Sequence, residues 1–148
     1  MAANDKIQIL CYGDSNTWGC IGKWVESDEP SARYDTDTRW PTVLQKESGK
    51  NLHVIEEGLG GRTTIYPHPT EPWKNGEPYL LPCLHTHRPL DLVVIMLGTN
   101  DTKDRLGMNA ACIGLGMERL VRKCMSVDCW GKHGPNVLIV ALPPIGDE

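Results

Sequence analysis

The chain has 148 residues, enough for one domain around a single hydrophobic core, and its 40% hydrophobic and 23% charged content is that of a globular protein. Its net charge is −4, with acidic and basic residues mixed, no basic run and no Lys/Arg stripe interleaved with aromatics, so no nucleic-acid partner is expected. The longest apolar core, Leu92 to Leu97, is far too short to cross a membrane, and no membrane association is expected.

The start, Met1-Ala2-Ala3-Asn4-Asp5-Lys6, is polar and lacks the apolar stretch of a secretory signal, so the expected location is the cytoplasm. Six cysteines stand at Cys11, Cys20, Cys83, Cys112, Cys124 and Cys129. None is paired in a C-x-x-C and no Cys/His cluster has zinc spacing, so reduced, mostly buried thiols are expected, with no metal and no cofactor. A cysteine-centred enzyme has no local support, because nothing marks one thiol as activated.

In chain order, Ile7 to Cys11 reads as a first short buried strand, followed by the loop Gly13-Asp14-Ser15-Asn16. Trp40 to Glu47 reads as a helix, with Pro41 in the first turn and Gly49 as a stop. Leu52 to Ile55 is a second apolar strand, followed by Gly58-Leu59-Gly60-Gly61-Arg62. The stretch Tyr66 to Pro89 carries Pro67, Pro69, Pro72, Pro78, Pro82 and Pro89, which predicts irregular structure without a long element. Leu92 to Leu97 is a third strand, continuous and rich in β-branched residues, and Gly98-Thr99-Asn100-Asp101 follows it. Ala110 to Met125 places apolar residues at helical spacing, and Val137 to Leu142 is a fourth strand leading to Pro143-Pro144.

Continuous rather than alternating apolar runs predict strands covered on both faces, as in a parallel sheet, and the alternation of strands with connections is the α/β pattern. In such sheets ligands sit outside the carboxyl ends of the strands. The chemically distinctive residues of this sequence all stand there.

A serine ester hydrolase needs an exposed hydroxyl, a base, and preorganised donors for the oxyanion. Ser15 lies in a tight loop after a buried strand, Gly61 in a glycine-rich turn where a backbone N–H can face the same crevice, and Asn100 offers an uncharged amide donor. A helix cap explains Ser15 on its own, and a turn explains Asn100-Asp101. The three loops together, each after a strand, favour the hydrolase. His85-x-His87 supplies two metal ligands without a third, so no metal is entered there. His87 is also set aside as a base, since its segment precedes a strand and points to the wrong end of the sheet. Trp18, Trp24, Trp40, Trp73 and Trp130 are expected mostly to pack, with Trp18 alone beside a motif.

Gly13-Asp14-Ser15-Asn16, the Gly61 turn and Gly98-Thr99-Asn100-Asp101 resemble the first three sequence blocks of the SGNH (GDSL) hydrolase family. Asp14 to Gly19, Val54 to Leu59, Arg62-Thr63-Thr64 and Leu97 to Lys103 are similar to its bacterial arylesterase/acyltransferase branch. The resemblance implies a flavodoxin-like three-layer α/β/α sandwich that cleaves small carboxylic esters through an acyl-enzyme, with possible acyl transfer to an alcohol or peroxide. It implies Ser15 as nucleophile and the N–H groups of Ser15 and Gly61 with the Asn100 side chain as oxyanion donors. Asp14, Trp18, Thr99 and Asp101 form the substrate-binding surroundings, the two acids orienting the loops and Trp18 and Thr99 lining the acyl pocket.

The family's fourth block, Asp-x-x-His, is absent: His53, His68, His85, His87 and His133 have no Asp three residues before them. The expectation is therefore a single domain lacking its C-terminal part, with four of five strands, inactive or impaired on its own. Exposed apolar surface on the third and fourth strands then predicts a homo-oligomer or association with a missing C-terminal fragment. Two alternatives stand beside the hydrolase. One is a non-catalytic ester- or carbohydrate-binding remnant. The other is a flavodoxin-like cofactor binder, which Asp14 disfavours because it would repel a phosphate.

Overall fold

The computed structural model describes residues 6–22 and 32–142. Four strands, β1 (Ile7–Gly13), β2 (Leu52–Gly58), β3 (Leu92–Met96) and β4 (Val137–Ile139), form one sheet in the order β2-β1-β3-β4. Every pairing in it is parallel. Around it stand α1 (Ser15–Trp18), α2 (Trp40–Glu47), α3 (Gly76–His87) and α4 (Ala110–Ser126), with short 3-10 turns between them.

Successive residues of β1 point to opposite faces, and both faces are covered. Leu10 and Tyr12 join Leu80, Cys83 and Leu84 of α3 and Met117, Leu120 and Cys124 of α4 in the larger core. Ile9 and Cys11 join Val94 in a smaller core closed by Trp40 at the start of α2. Helix, sheet, helix: the chain is a three-layer α/β/α sandwich of flavodoxin-like topology. The central strands carry continuous apolar sequence because neither face meets water.

The predicted helix over Trp40 to Glu47 is observed with those bounds, and the one over Ala110 to Met125 extends one residue further, to Ser126. The expectation of irregular structure from Tyr66 to Pro89 is corrected by α3, a 12-residue helix. Pro78 falls in its first turn, where backbone N–H groups have no helical partner to lose. Pro82 does remove one interior hydrogen bond, yet it sits on the exposed side. The opposite side buries Leu80, Cys83 and Leu84 completely, and tertiary packing outweighs the local cost.

Strand β4 departs from expectation as well. It is three residues long rather than six, and Leu138 and Ile139 are about half exposed. Among the described residues it has a neighbour on one edge only, which makes it the sheet's open margin. Trp73, expected to pack, is 61% exposed, and Trp24 lies outside the described residues.

Ion pairs tie the helices of one layer together. Glu77 of α3 accepts from Arg119 at 2.5 Å and from Lys123 at 2.6 Å on α4. At the other side of β1, Gly58 ends β2 where α1 crosses it, and a Cβ there would overlap the backbone nitrogen of Trp18. Because that obstacle is main chain, no rotamer change relieves it. Gly58→Ala is therefore expected to destabilise the fold by about 3 kcal/mol, near the upper end for overpacking, read as a fall in the thermal midpoint.

Candidate active site

Chain direction reverses its side of the sheet at β1: β2 lies on one flank and β3 on the other. The crevice at the carboxyl ends of β1 and β3 is thus a topological switch point. Ser15 follows β1 and Asn100 follows β3, so they flank it.

Ser15 opens α1, half-buried. Asp14 caps that helix, its Oδ1 accepting from the Asn16 N–H at 2.9 Å and from Asn16 Nδ2 at 3.1 Å. The Ser15 carbonyl accepts from the N–H groups of Gly19 and Cys20, both at 2.9 Å, which closes the turn beneath it. Neither the Ser15 N–H nor its Oγ has a hydrogen-bond partner among the described residues. The Gly61 N–H likewise has none there. Gly61 holds φ at +80°, a left-handed conformation that suits glycine, and the turn is closed by Arg62 N–H donating to Leu59 O at 3.1 Å.

Asn100 is buried, and its Nδ2 donates to the Arg62 carbonyl at 3.0 Å and to Asp14 Oδ2 at 3.5 Å. One amide thus touches both other loops. The longer contact is at the limit of a hydrogen bond, so it is the N–H most easily redirected toward a bound oxygen. Below it, Leu59 N–H donates to Gly13 O at 3.1 Å and Arg62 Nη1 donates to the same carbonyl at 3.0 Å. The structure therefore brings Ser15, Gly61 and Asn100 together through their loops.

Asp101 is fully buried beneath them. Its carboxylate takes the Thr64 N–H on both oxygens at 3.1 Å and the Thr64 hydroxyl at 2.6 Å. Burial pushes the Asp101 carboxyl above the usual carboxylate range, against the pull of those Thr64 bonds. Asp14 is raised by burial too, opposed mainly by its bonds to Asn16 and added to by the charge of Asp101. With no exposed surface, neither acid can touch a substrate in this arrangement. Both carboxylates are engaged by loop groups, Asp14 by Asn16 and Asp101 by Thr64.

Trp18 and Thr99 are not neighbours in one pocket. Thr99 lines a mainly apolar groove of about 550 Å³ with Asn16, Gly98, Ile113 and Leu142, between α4 and the ends of β3 and β4. Trp18 is outside this groove, half-buried with the Arg33 guanidinium 4.9 Å from its ring centre. The reason is geometric: Asn16 and Trp18 are two residues apart on α1, about 200° of helical rotation, which points them to different sides.

Arg62 is the residue that sequence reasoning undervalued. It is buried, donates from Nη1 to Glu57 O at 2.6 Å and to Gly13 O, and lies 4.1 Å over the Tyr12 ring. The signal was present in its place, directly after Gly61 in a strand-end loop. Only the fold shows that two strand ends converge on it.

The family model for GDSL-like lipases and acylhydrolases matches residues 11–148, and the chain belongs to that family. The native aryl esterase of M. smegmatis is 46% identical and superposes with a TM-score of 0.86, over 95% of this chain and 66% of that one. Est24, a carbohydrate acetylesterase from Sinorhizobium meliloti, is 41% identical with a TM-score of 0.84, over 96% of this chain and 66% of that one. The SGNH-family esterase AlinE4, 19% identical at a TM-score of 0.62, shares the fold. The chain spans just under two thirds of the length of the first two structures.

The Thr64–Asp101 contact gives a direct test. Thr64→Val keeps the shape but removes a buried donor, and about 1–3 kcal/mol of stability is expected to go at neutral pH. The raised Asp101 carboxyl rises further in the variant. A raised acid contributes its stability below its unfolded value and loses it as pH climbs through the folded value. The variant's deficit in thermal melts should thus be largest at neutral pH and shrink on acidification.

Proposed function

We propose that the chain carries the nucleophile and oxyanion-binding elements of a serine hydrolase for small carboxylic esters. The observation that carries this reading is a pair of unclaimed backbone donors, the Ser15 and Gly61 N–H groups, on loops joined by the Asn100 amide. The Ser15 Oγ attacks the ester carbonyl carbon while its proton passes to a base. The carbonyl π electrons move onto oxygen, where those two N–H groups and an Asn100 N–H receive the charge. Such fixed donors act at the moment charge develops, and each is worth about 3 kcal/mol. Collapse of the tetrahedral species expels the alcohol and leaves an acyl-serine. Water then releases the acid, or another alcohol or a peroxide takes the acyl group.

The relatives described as an aryl esterase and a carbohydrate acetylesterase support a short acyl group, acetyl above all, on an aryl or sugar alcohol. The apolar groove beside Thr99 suits the acyl portion. The base is an Asp-x-x-His pair, and these 148 residues contain none. A Ser15 left without such a base loses about 10⁴-fold or more in rate.

Intact-mass analysis with a fluorophosphonate probe tests the assignment. Slow labelling at Ser15, absent in Ser15→Ala and accelerated when an Asp-x-x-His segment is supplied, is the expected result. Labelling at a different residue, or none after prolonged exposure with that segment present, leaves a binding remnant and overturns the hydrolase.

A further inference from the structure

Away from the ester site, the described residues contain one group of side chains suited to a metal ion: Glu57, Cys83 and His87. Glu57 is the penultimate residue of β2. Cys83 and His87 are four apart on α3, one turn, and so project from the same side of that helix. One ligand atom from each residue lies within 4.8 Å of the other two, and His87 Nε2 stands 2.7 Å from Glu57 Oε1. The thiol is fully buried, while the His87 and Glu57 side chains keep 25% and 19% of their surface exposed. The cluster therefore has a closed floor and an open mouth.

We propose that Glu57, Cys83 and His87 form a three-ligand site for a thiophilic divalent cation of the zinc class, with water in the fourth position. Sulfur, imidazole nitrogen and one carboxylate oxygen are a donor set for zinc or cobalt rather than magnesium or calcium. A tetrahedral ion holds such ligands about 3.3 to 3.8 Å apart, so the short His87–Glu57 pair opens and the wider separations close in. Thiolate and carboxylate together supply two negative charges against the ion's two positive ones. The neighbouring Tyr79 hydroxyl donates to both Glu57 carboxylate oxygens, at 3.4 Å from Oε1 and 3.3 Å from Oε2.

Without metal, burial first and the charge of Glu57 second push the Cys83 thiol up to about 12. Metal binding breaks that S–H bond, forms an S–metal bond and releases the proton to solvent. The site joins β2 to α3 and lies outside the groove at Thr99. Its role is to clamp the layers, and it takes no part in ester chemistry. The proposal departs from the expectation of no metal, which rested on linear spacing and on a loop where α3 stands.

Cobalt(II) is the probe. Titrated into the metal-free chain, it should bind at one equivalent with a thiolate-to-cobalt charge-transfer band, release a proton, raise the thermal midpoint, and be displaced by zinc. Cys83→Ser should abolish the band, whereas Cys20→Ser, which removes the exposed cysteine, should leave it. His87→Gln, at the open mouth, should weaken binding by about tenfold or more. A band that survives Cys83→Ser, a band lost with Cys20→Ser, or no band at excess cobalt overturns the site. If Cys83→Ser does not fold, the His87→Gln titration decides, and unchanged affinity there overturns it equally.

Discussion

A buried guanidinium with no acidic partner holds the functional end of this molecule together. Arg62 has no ion pair among the described residues, yet it is almost wholly removed from water. Burying a cation this way is costly unless other dipoles replace its hydration. Here the replacement is specific. Two strand-end carbonyls, Gly13 and Glu57, face its Nη1, and the electron-rich face of Tyr12 lies beneath it with Tyr79 further out. The Gly13 carbonyl also takes the Leu59 N–H, so the Arg62 guanidinium fills the second acceptor position of a strand-end oxygen. Its own backbone carbonyl then receives the Asn100 amide, and the third loop is fixed to the first two.

That arrangement explains why the loops carry so many buried polar groups. Asp14 and Asp101 are both raised by burial, which makes each a liability in isolation. Each nonetheless has donors, Asp14 from Asn16 of its own loop and at longer range from Asn100, Asp101 from Thr64 of a neighbouring loop, and hydrogen-bonded networks of this kind fix loop geometry. The consequence is preorganisation. The Ser15 and Gly61 N–H groups stay unengaged on loops fixed by the Asn16, Asn100, Arg62 and Thr64 bonds, so those donors need no rearrangement to meet an oxyanion.

Much of this was legible in sequence, and the reasons differ by element. The central strands β1 and β3 were readable because both their faces are buried, which selects continuous apolar runs, whereas the marginal β4 was read too long. The Trp40–Glu47 helix was readable because Pro41 and Gly49 mark its ends. Counting prolines failed at α3, since a proline's effect depends on its position in the helix and on what the other side buries. Trp18 was placed beside Thr99 by the family resemblance, whereas helical geometry sends it away from Asn16 and the groove that Thr99 lines. Loop chemistry was legible as three motifs, but the residue that joins them, Arg62, acts through carbonyls that no pattern of side chains records.

The failure at α3 had a further effect. Cys83 and His87 look unrelated when the segment is taken for a loop, because spacing in a loop says nothing about proximity. Once the segment is helical, both fall on the side that meets β2, and Glu57 completes the group. Glu57 also connects the two regions of interest: its main-chain carbonyl receives Arg62, while its side chain receives His87 and Tyr79. A change at the carboxylate leaves the carbonyl in place, because the strand ladder positions the backbone independently of the side chain. The clamp and the ester site therefore share a residue without sharing a function, and either can alter in evolution without dismantling the other.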